Sequence, residues 1–425
     1  MADKTPPNPQ PSTENTSEPK QAVRRLLLEL GSDLLGGGLP VNDVEDALRG
    51  LGIALGEPNV AIAAFPNGLF VTLEVGQEAG LRPVGEVLRF EQTADVLELG
   101  HQIRSGRIAT DVALCALDRI RRAPAKWPAW VSDLGVVPIG VGLCVLLQPG
   151  YPNIIAAAAG SLMVAGLTTI GRHWTPFRPL LPVVAAFLVS MMIFLAADAS
   201  LLHGPLRTIV AVLAVLLPGS LLVTGLSEIA AGAASAGSAR LVTGTVQLML
   251  FLTGVLAAAA FVHAPSADLT NTYLRQVPGW VPCLGVAVTV AGVIIRFNTP
   301  LRATPHIVAV VAVTASAQLT VQSVYGAAIG GLLGAIAAAI AATIAHRIPH
   351  GPAWQVVYLP AFWVLVPGSF GLINAAQIHS SNGLDASSTA ASAILAVAIG
   401  TLIGSLISRI PIADHHRRRG RPEHG

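Results

Sequence analysis

The chain has 425 residues, of which 52% are hydrophobic and only 12% charged. That is about half the charged share of an ordinary soluble protein, so an entirely soluble fold is excluded. A net charge of +2 gives no basic stripe for nucleic acid. The three cysteines, Cys115, Cys144 and Cys283, lack the spacing of a disulfide framework or a zinc site. Charge is also unevenly placed. Between Val131 and Arg409 the acids are Asp133, Asp198, Glu228, Asp268 and Asp385, and lysine is absent. A soluble region up to Trp130 is therefore expected, followed by a membrane region.

Residues 1–20 are polar and rich in Pro, Ser, Thr, Glu and Lys, which predicts a disordered segment rather than a signal peptide. From Gln21 to Leu35, Val23, Leu26, Leu27, Leu30 and Leu34 recur at helical spacing. A second helix is expected near Asn42, a good cap, with Asp43, Glu45 and Asp46 as acids at its start. Two short β-like runs, 60–65 and 69–75, flank Pro66-Asn67-Gly68, a hairpin signal, and 84–89 reads as a third strand. Helices over 93–105 and 110–122 complete a small α+β cytoplasmic domain spanning residues 21–130. Its end is rich in Pro and Trp (Pro124, Trp127, Pro128, Trp130), as suits a membrane interface. His101 is the only histidine of this domain and Cys115 reads as a core thiol, so no catalytic group and no cofactor or metal site is assigned.

Past Asp133, apolar segments follow one another over 134–149, 152–171, 179–197, 205–226, 241–262, 280–296, 303–321, 325–346, 354–376 and 387–408. These make about ten crossings of roughly 20 residues each. The fold class expected is an α-helical polytopic membrane protein, with a first five-helix repeat over 131–276, a second over 277–410 and a basic tail over 411–425. Arg172, Arg178, Arg240, Arg296, Arg302 and Arg347 fall on one side with the tail, against Arg207 and Arg275 on the other. The positive-inside rule then places both termini in the cytoplasm of a multi-pass protein of the cytoplasmic (inner or plasma) membrane. Five spans per half make the halves inverted repeats.

Within these spans, Leu217-Pro218-Gly219-Ser220 returns as Val366-Pro367-Gly368-Ser369, 149 positions later. Proline removes a backbone donor and glycine eases unwinding, so each copy predicts a broken helix with free backbone groups at membrane depth. Two unrelated kinks are the plainer alternative. Polar residues follow each copy: Thr224 and Glu228 after the first, Asn374 and Gln377 after the second. Glu228, the only glutamate between Val131 and Arg409, is expected to be paired, protonated or in a cavity, unless it reaches water at a span end. Arg240 is its candidate partner. Gln318, Gln322 and Asn298 are candidates for hydrogen bonds between helices.

The run from Pro218 to Leu241, PGSLLVTGLSEIAAGAASAGSARL, resembles the threonine/serine exporter family, in which a Pro-Gly precedes a polar stretch, an acid, glycines and an arginine. Pro218, Gly219, Glu228, Gly232, Gly237 and Arg240 carry the match, and the soluble front domain with about ten spans is similar too. The chain departs from the family in having glutamate at 228, where aspartate is usual, and threonine at 224, where asparagine is expected. The resemblance implies proton-coupled export of threonine or serine, with protons and the lipid bilayer as the other partners. Pro218, Gly219, Ser220, Thr224, Glu228, Pro367, Gly368, Ser369, Asn374 and Gln377 would line the substrate site, and Glu228 with Arg240 would form a coupling or structural ion pair. A homo-oligomer is compatible with the sequence but not specified by it. Two competing readings are a membrane-anchored hydrolase and a ligand sensor, each using the front domain.

Overall fold

A computed structural model describes residues 17–269, 278–348, 351–352, 354–365 and 395–404. The chain divides into two compact units, Met1–Pro124 and Ala125–Gly425.

In the first unit, α1 (Ser17–Gly36) and α2 (Val41–Ala54) precede strands β1 (Ala61–Phe65), β2 (Gly68–Thr72) and β3 (Gly80–Pro83), followed by α3 (Phe90–Arg104) and α4 (Thr110–Arg122). The strands form one antiparallel sheet in the order β1-β2-β3, and Phe65 pairs with Gly68 across the expected hairpin. The third strand lies at 80–83 instead of 84–89. Leu81 pairs with Phe70 there, whereas Val84 donates to the Asn67 carbonyl and Leu88 to that of Gly36. Asn42 is not the cap of α2. The cap position is Pro40, whose carbonyl accepts the Val44 N–H at 3.1 Å. Glu45 does more than crowd a helix start, since its Oε1 accepts the Ala64 N–H at 2.9 Å and pins β1.

The helical leucines meet the inner face of the sheet: Leu27, Leu48, Leu69 and Val71 are fully buried. Truncating any one leucine to alanine costs about 2–5 kcal/mol. Glu29, which interrupts the apolar run of α1, is buried beside Arg121 and lies 2.7 Å from Arg82 Nη2. Arg121 Nε also donates to Asp33 at 2.9 Å. Burial pushes the Asp33 carboxyl above its ordinary range, against the opposing pull of Arg121. For Arg121, burial opposes the charge, but the bonds to Asp33 and Glu29 hold it above its usual value. Because the folded unit binds the Asp33 proton more readily than the unfolded chain, the Asp33 contribution to stability grows as pH falls through the raised pKa. Arg121→Ala would strand the buried Asp33 carboxylate and leave Glu29 with Arg82 alone. It is expected to destabilise this unit by about 3–5 kcal/mol, read as amide exchange in α1 and α4 faster by about a hundredfold or more; unchanged exchange would show the network to be dispensable.

The second unit is helical: α5 (Ala129–Leu134), α6 (Val136–Leu147), α7 (Tyr151–His173), α8 (Leu181–Asp198), α9 (Pro205–Leu213), α10 (Gly219–Ala230), α11 (Ala234–Val262), α12 (Val281–Arg296), α13 (Thr304–Tyr325), α14 (Ala327–Arg347), α15 (Trp354–Leu365) and α16 (Leu395–Gly404). Among the described residues six helices are long and apolar enough to cross a membrane, or seven if the bent pair α9–α10 is one span. The expected spans at 280–296, 354–376 and 387–408 appear as shorter apolar helices, the last two running into residues that are not described. The connection left between the expected spans 205–226 and 241–262 is mostly helical. It shrinks to Ala231–Ala233 because Gly232 turns the chain at φ +93° and α11 starts at Ala234.

Helices α6 and α12 run antiparallel in backbone contact. A Cβ on Gly142 would lie 2.5 Å from Thr289 N and 2.7 Å from Gly285 O, and one on Gly292 would lie 2.6 Å from Ile139 N and 2.9 Å from Gly135 O. Gly285 faces Leu146, and Gly135 faces Arg296. The seven-residue spacing of Gly135 and Gly142, and of Gly285 and Gly292, puts each pair on one helix face. Small residues of this kind are what let helices approach in a membrane. Each contact maps onto another when Gly135, Ile139, Gly142 and Leu146 are exchanged with Gly285, Thr289, Gly292 and Arg296, residues 150 positions on.

Candidate functional site

The first Pro-Gly-Ser copy breaks a helix, as its residues require. After α9 a 3₁₀ turn, Ala214–Leu216, leads to Leu217 in extended conformation (φ −69°, ψ 138°), and Pro218 begins α10 with an axis bent by 64°. Pro218 and Gly219 are buried. A helix end at this point leaves carbonyls without partners, and Gln247 of α11 supplies one, its Nε2 donating to the Leu216 carbonyl at 3.3 Å. Gln318 Nε2 of α13 lies 3.4 Å from the carbonyl of Leu365, the last described residue of α15. Leu216 and Leu365 each stand two residues before a proline of the repeated motif. Pro367, Gly368, Ser369, Asn374 and Gln377 themselves lie outside the described residues.

On α10, Ser220, Thr224 and Glu228 succeed one another at four-residue spacing and share a face. Ser220 and Thr224 are half-buried, while Glu228 is fully buried and does not reach water at the span end. Arg240 Nε of α11 lies 3.0 Å from Glu228 Oε2, and both side chains are largely shielded, at 13% and 0% exposure. The α10–α11 hairpin brings them together because its backbones nearly touch: a Cβ on Gly225 would lie 2.8 Å from Gly237 O. Ser235 and Ser238, small residues in the first turns of α11, are exposed. Asn298 joins loop segments, accepting from Trp127 N–H at 2.9 Å and donating to Ser132 Oγ at 3.1 Å.

Two features escape sequence reasoning. Gln247 stands in an apolar run, and its polarity there was the available signal. Asp133, Arg172 and Arg296 form a buried ion cluster, but residues so far apart in the chain carry no mark of their pairing. In the first unit Cys115 is exposed, not a core thiol. It lines a groove of about 350 Å³ with Asp95, Glu98 and Arg119, and no histidine is among the lining residues. His101 is exposed on α3.

The start of α10 offers N–H groups without intrahelical partners to an anion, and near the other end of the same helix a buried carboxylate is matched to an arginine. With its apolar helices, this arrangement defines a polytopic membrane protein built around a broken span. A family model described as "Putative threonine/serine exporter" matches residues 25–262, more than half of the chain and ending where α11 ends. The chain belongs to the threonine/serine exporter family. It is similar to a protein of Mycobacterium tuberculosis (strain ATCC 25618 / H37Rv) named "Probable threonine/serine exporter", 25% identical over 225 residues that cover 50% of this chain and 42% of the relative. The match thus spans about two fifths of that relative's length. No solved structure matches the chain.

Proposed function

We propose that this protein exports small hydroxy amino acids, threonine or serine, across the cytoplasmic membrane at the expense of the proton gradient. The observation that carries the reading is Glu228, fully buried beside Arg240 on the helix that starts at the Pro218 break, in a chain of this family. In an apolar setting an ionised carboxylate is costly, by about 2.5–3.5 kcal/mol for a central aspartate on insertion scales. Glu228 therefore holds its charge while Arg240 is near and takes a proton when the pair separates. The substrate carboxylate binds the free N–H groups at the start of α10 with Ser220 and Thr224 beside it, and Glu228, about 13 Å further along the helix, acts as the coupling group and not as a substrate contact. Pro367, Gly368, Ser369, Asn374 and Gln377 complete the opposite wall.

Ten spans in two inverted halves, 131–276 and 277–410, go with this mechanism, and the front domain over 21–130 and both termini face the cytoplasm. The exchange symmetry of the α6–α12 contacts and the matched glutamine bonds at Leu216 and Leu365 support the inverted arrangement. Rocking of one half against the other then alternates access. The test is efflux of labelled threonine or serine from preloaded vesicles containing the protein. Efflux that follows the gradient and stops with an uncoupler is the expected result, and efflux indifferent to both the protein and the uncoupler refutes it. Gln247→Leu and Gln318→Leu, which strip the bond from each carbonyl, are each expected to slow efflux about tenfold by loosening one break; a normal rate in both would mean that the bonds are incidental.

A further inference from the structure

Asp133 is buried, at 4% exposure, near the end of α5, and two arginines from distant parts of the chain converge on it. Arg172 Nη2, at the end of α7, lies 2.6 Å from Oδ2. Arg296 Nη1, at the end of α12, lies 3.2 Å from Oδ1. The Thr169 hydroxyl adds a bond to Oδ2 at 2.8 Å. Both carboxylate oxygens are thus engaged, and breaking such a buried group by removing one partner is costly. The cluster ties the first helices of the unit to α12, as a cross-link rather than a surface pair.

The rest of the α6–α12 contact makes this position informative. The pair is symmetric under exchange of residues 150 apart, yet its two ends differ chemically. Arg296 exchanges with Leu146 and Asp133 with Cys283, so among the described residues Leu146 packs against Gly285 at the far end where Arg296 meets Asp133 at the near one. A symmetric helix pair would part equally readily at either end, whereas an ion cluster at one end makes the two states unequal. The same arginine also adjoins an aromatic pair. Its guanidinium lies 5.7 Å from the Phe297 ring centroid, and Phe297 stacks on Trp363 of α15 with centroids 4.7 Å apart. Helix α15 is described as far as Leu365, two residues before Pro367 in the sequence.

We propose that Asp133, Arg172 and Arg296 are the latch of the transport cycle: the cluster closes one end of the α6–α12 pair, and its release and re-formation set which side of the membrane the Pro218 site faces. This rests on the exporter reading for its purpose, though not for its test. On the arginine distribution the latched end is cytoplasmic, so it must open to admit cargo from inside.

The test uses the full chain with Cys115, Cys144 and Cys283 replaced by alanine and one reporter at a time, Ile139→Cys toward the latched end or Leu146→Cys at the other. Each is labelled with a membrane-impermeant maleimide from either side of vesicles, without any amino acid present. Asp133→Asn is expected to speed labelling of Ile139→Cys about tenfold and to slow that of Leu146→Cys by a similar factor. A cluster that merely stabilises the fold would speed both, and that result, or no change in either, overturns the latch. Should Asp133→Asn fail to insert, Arg296→Gln, which leaves Asp133 with Arg172, carries the same test. Opposite shifts in a protein that releases no threonine or serine would keep the latch and remove the proposed cargo.

Discussion

Glu228→Gln is expected to bring gradient-driven efflux of threonine or serine down to the level of vesicles without protein, a loss of about a hundredfold or more, while the chain remains inserted. The substitution keeps the shape of the side chain and its capacity to accept a hydrogen bond. It removes the one group at the Pro218 break that can alternate between a charge paired with Arg240 at 3.0 Å and a neutral acid. A purely structural pair predicts something different. Breaking it leaves Arg240 without its buried counter-charge, at about 3–5 kcal/mol, and removing both charges restores the fold. The double variant Glu228→Gln with Arg240→Gln separates the two. Under the coupling role it inserts and is as stable as the parent but does not export against a gradient; recovery of gradient-driven efflux in the double variant would show that the pair serves packing alone.

The second large effect is expected at the α6–α12 crossing. Gly142→Val and Gly292→Val should each abolish efflux and lower the thermal midpoint in detergent by several degrees or more, the usual consequence of overpacking by about 1–3 kcal/mol. The new side chains would meet backbone, at 2.5 Å from Thr289 N in one case and 2.6 Å from Ile139 N in the other, so no rotamer change can relieve the clash. Because the two contacts exchange with each other, the two variants should be matched in severity. Gly166→Val on α7, where a Cβ meets nothing within 4 Å, is the neutral control. If Gly142→Val were tolerated while the control was not, the crossing would not be the close backbone contact described.

Much of this molecule was legible in its sequence because the signals are local. The helical spacing of Val23 to Leu34, the Asn-Gly hairpin and the apolar runs each depend on neighbours within a turn or a strand; the first helix, the hairpin and six or seven of the ten expected spans appear close to their expected places among the described residues. The misplacements have local causes as well. Strand pairing opposite Phe70 drew β3 to 80–83, and the turn at Gly232 let α11 begin seven residues before the expected span. Cys115 was misjudged because an apolar stretch does not say which side of a helix faces the core.

The sequence by itself determined the membrane class, pointed to the break at Pro218 and named Arg240 as the candidate partner of Glu228, a pairing the structure shows at 3.0 Å, because proline chemistry and the scarcity of charge in an apolar run act at short range. Only the tertiary structure decided which distant residues answer one another: Gln247 to the Leu216 carbonyl, Asp133 to Arg172 and Arg296, Gly142 to Gly285. The reason is physical. A buried charge or an open carbonyl demands a partner but does not specify which one, and the choice falls to whichever helix the packing of small residues brings within reach.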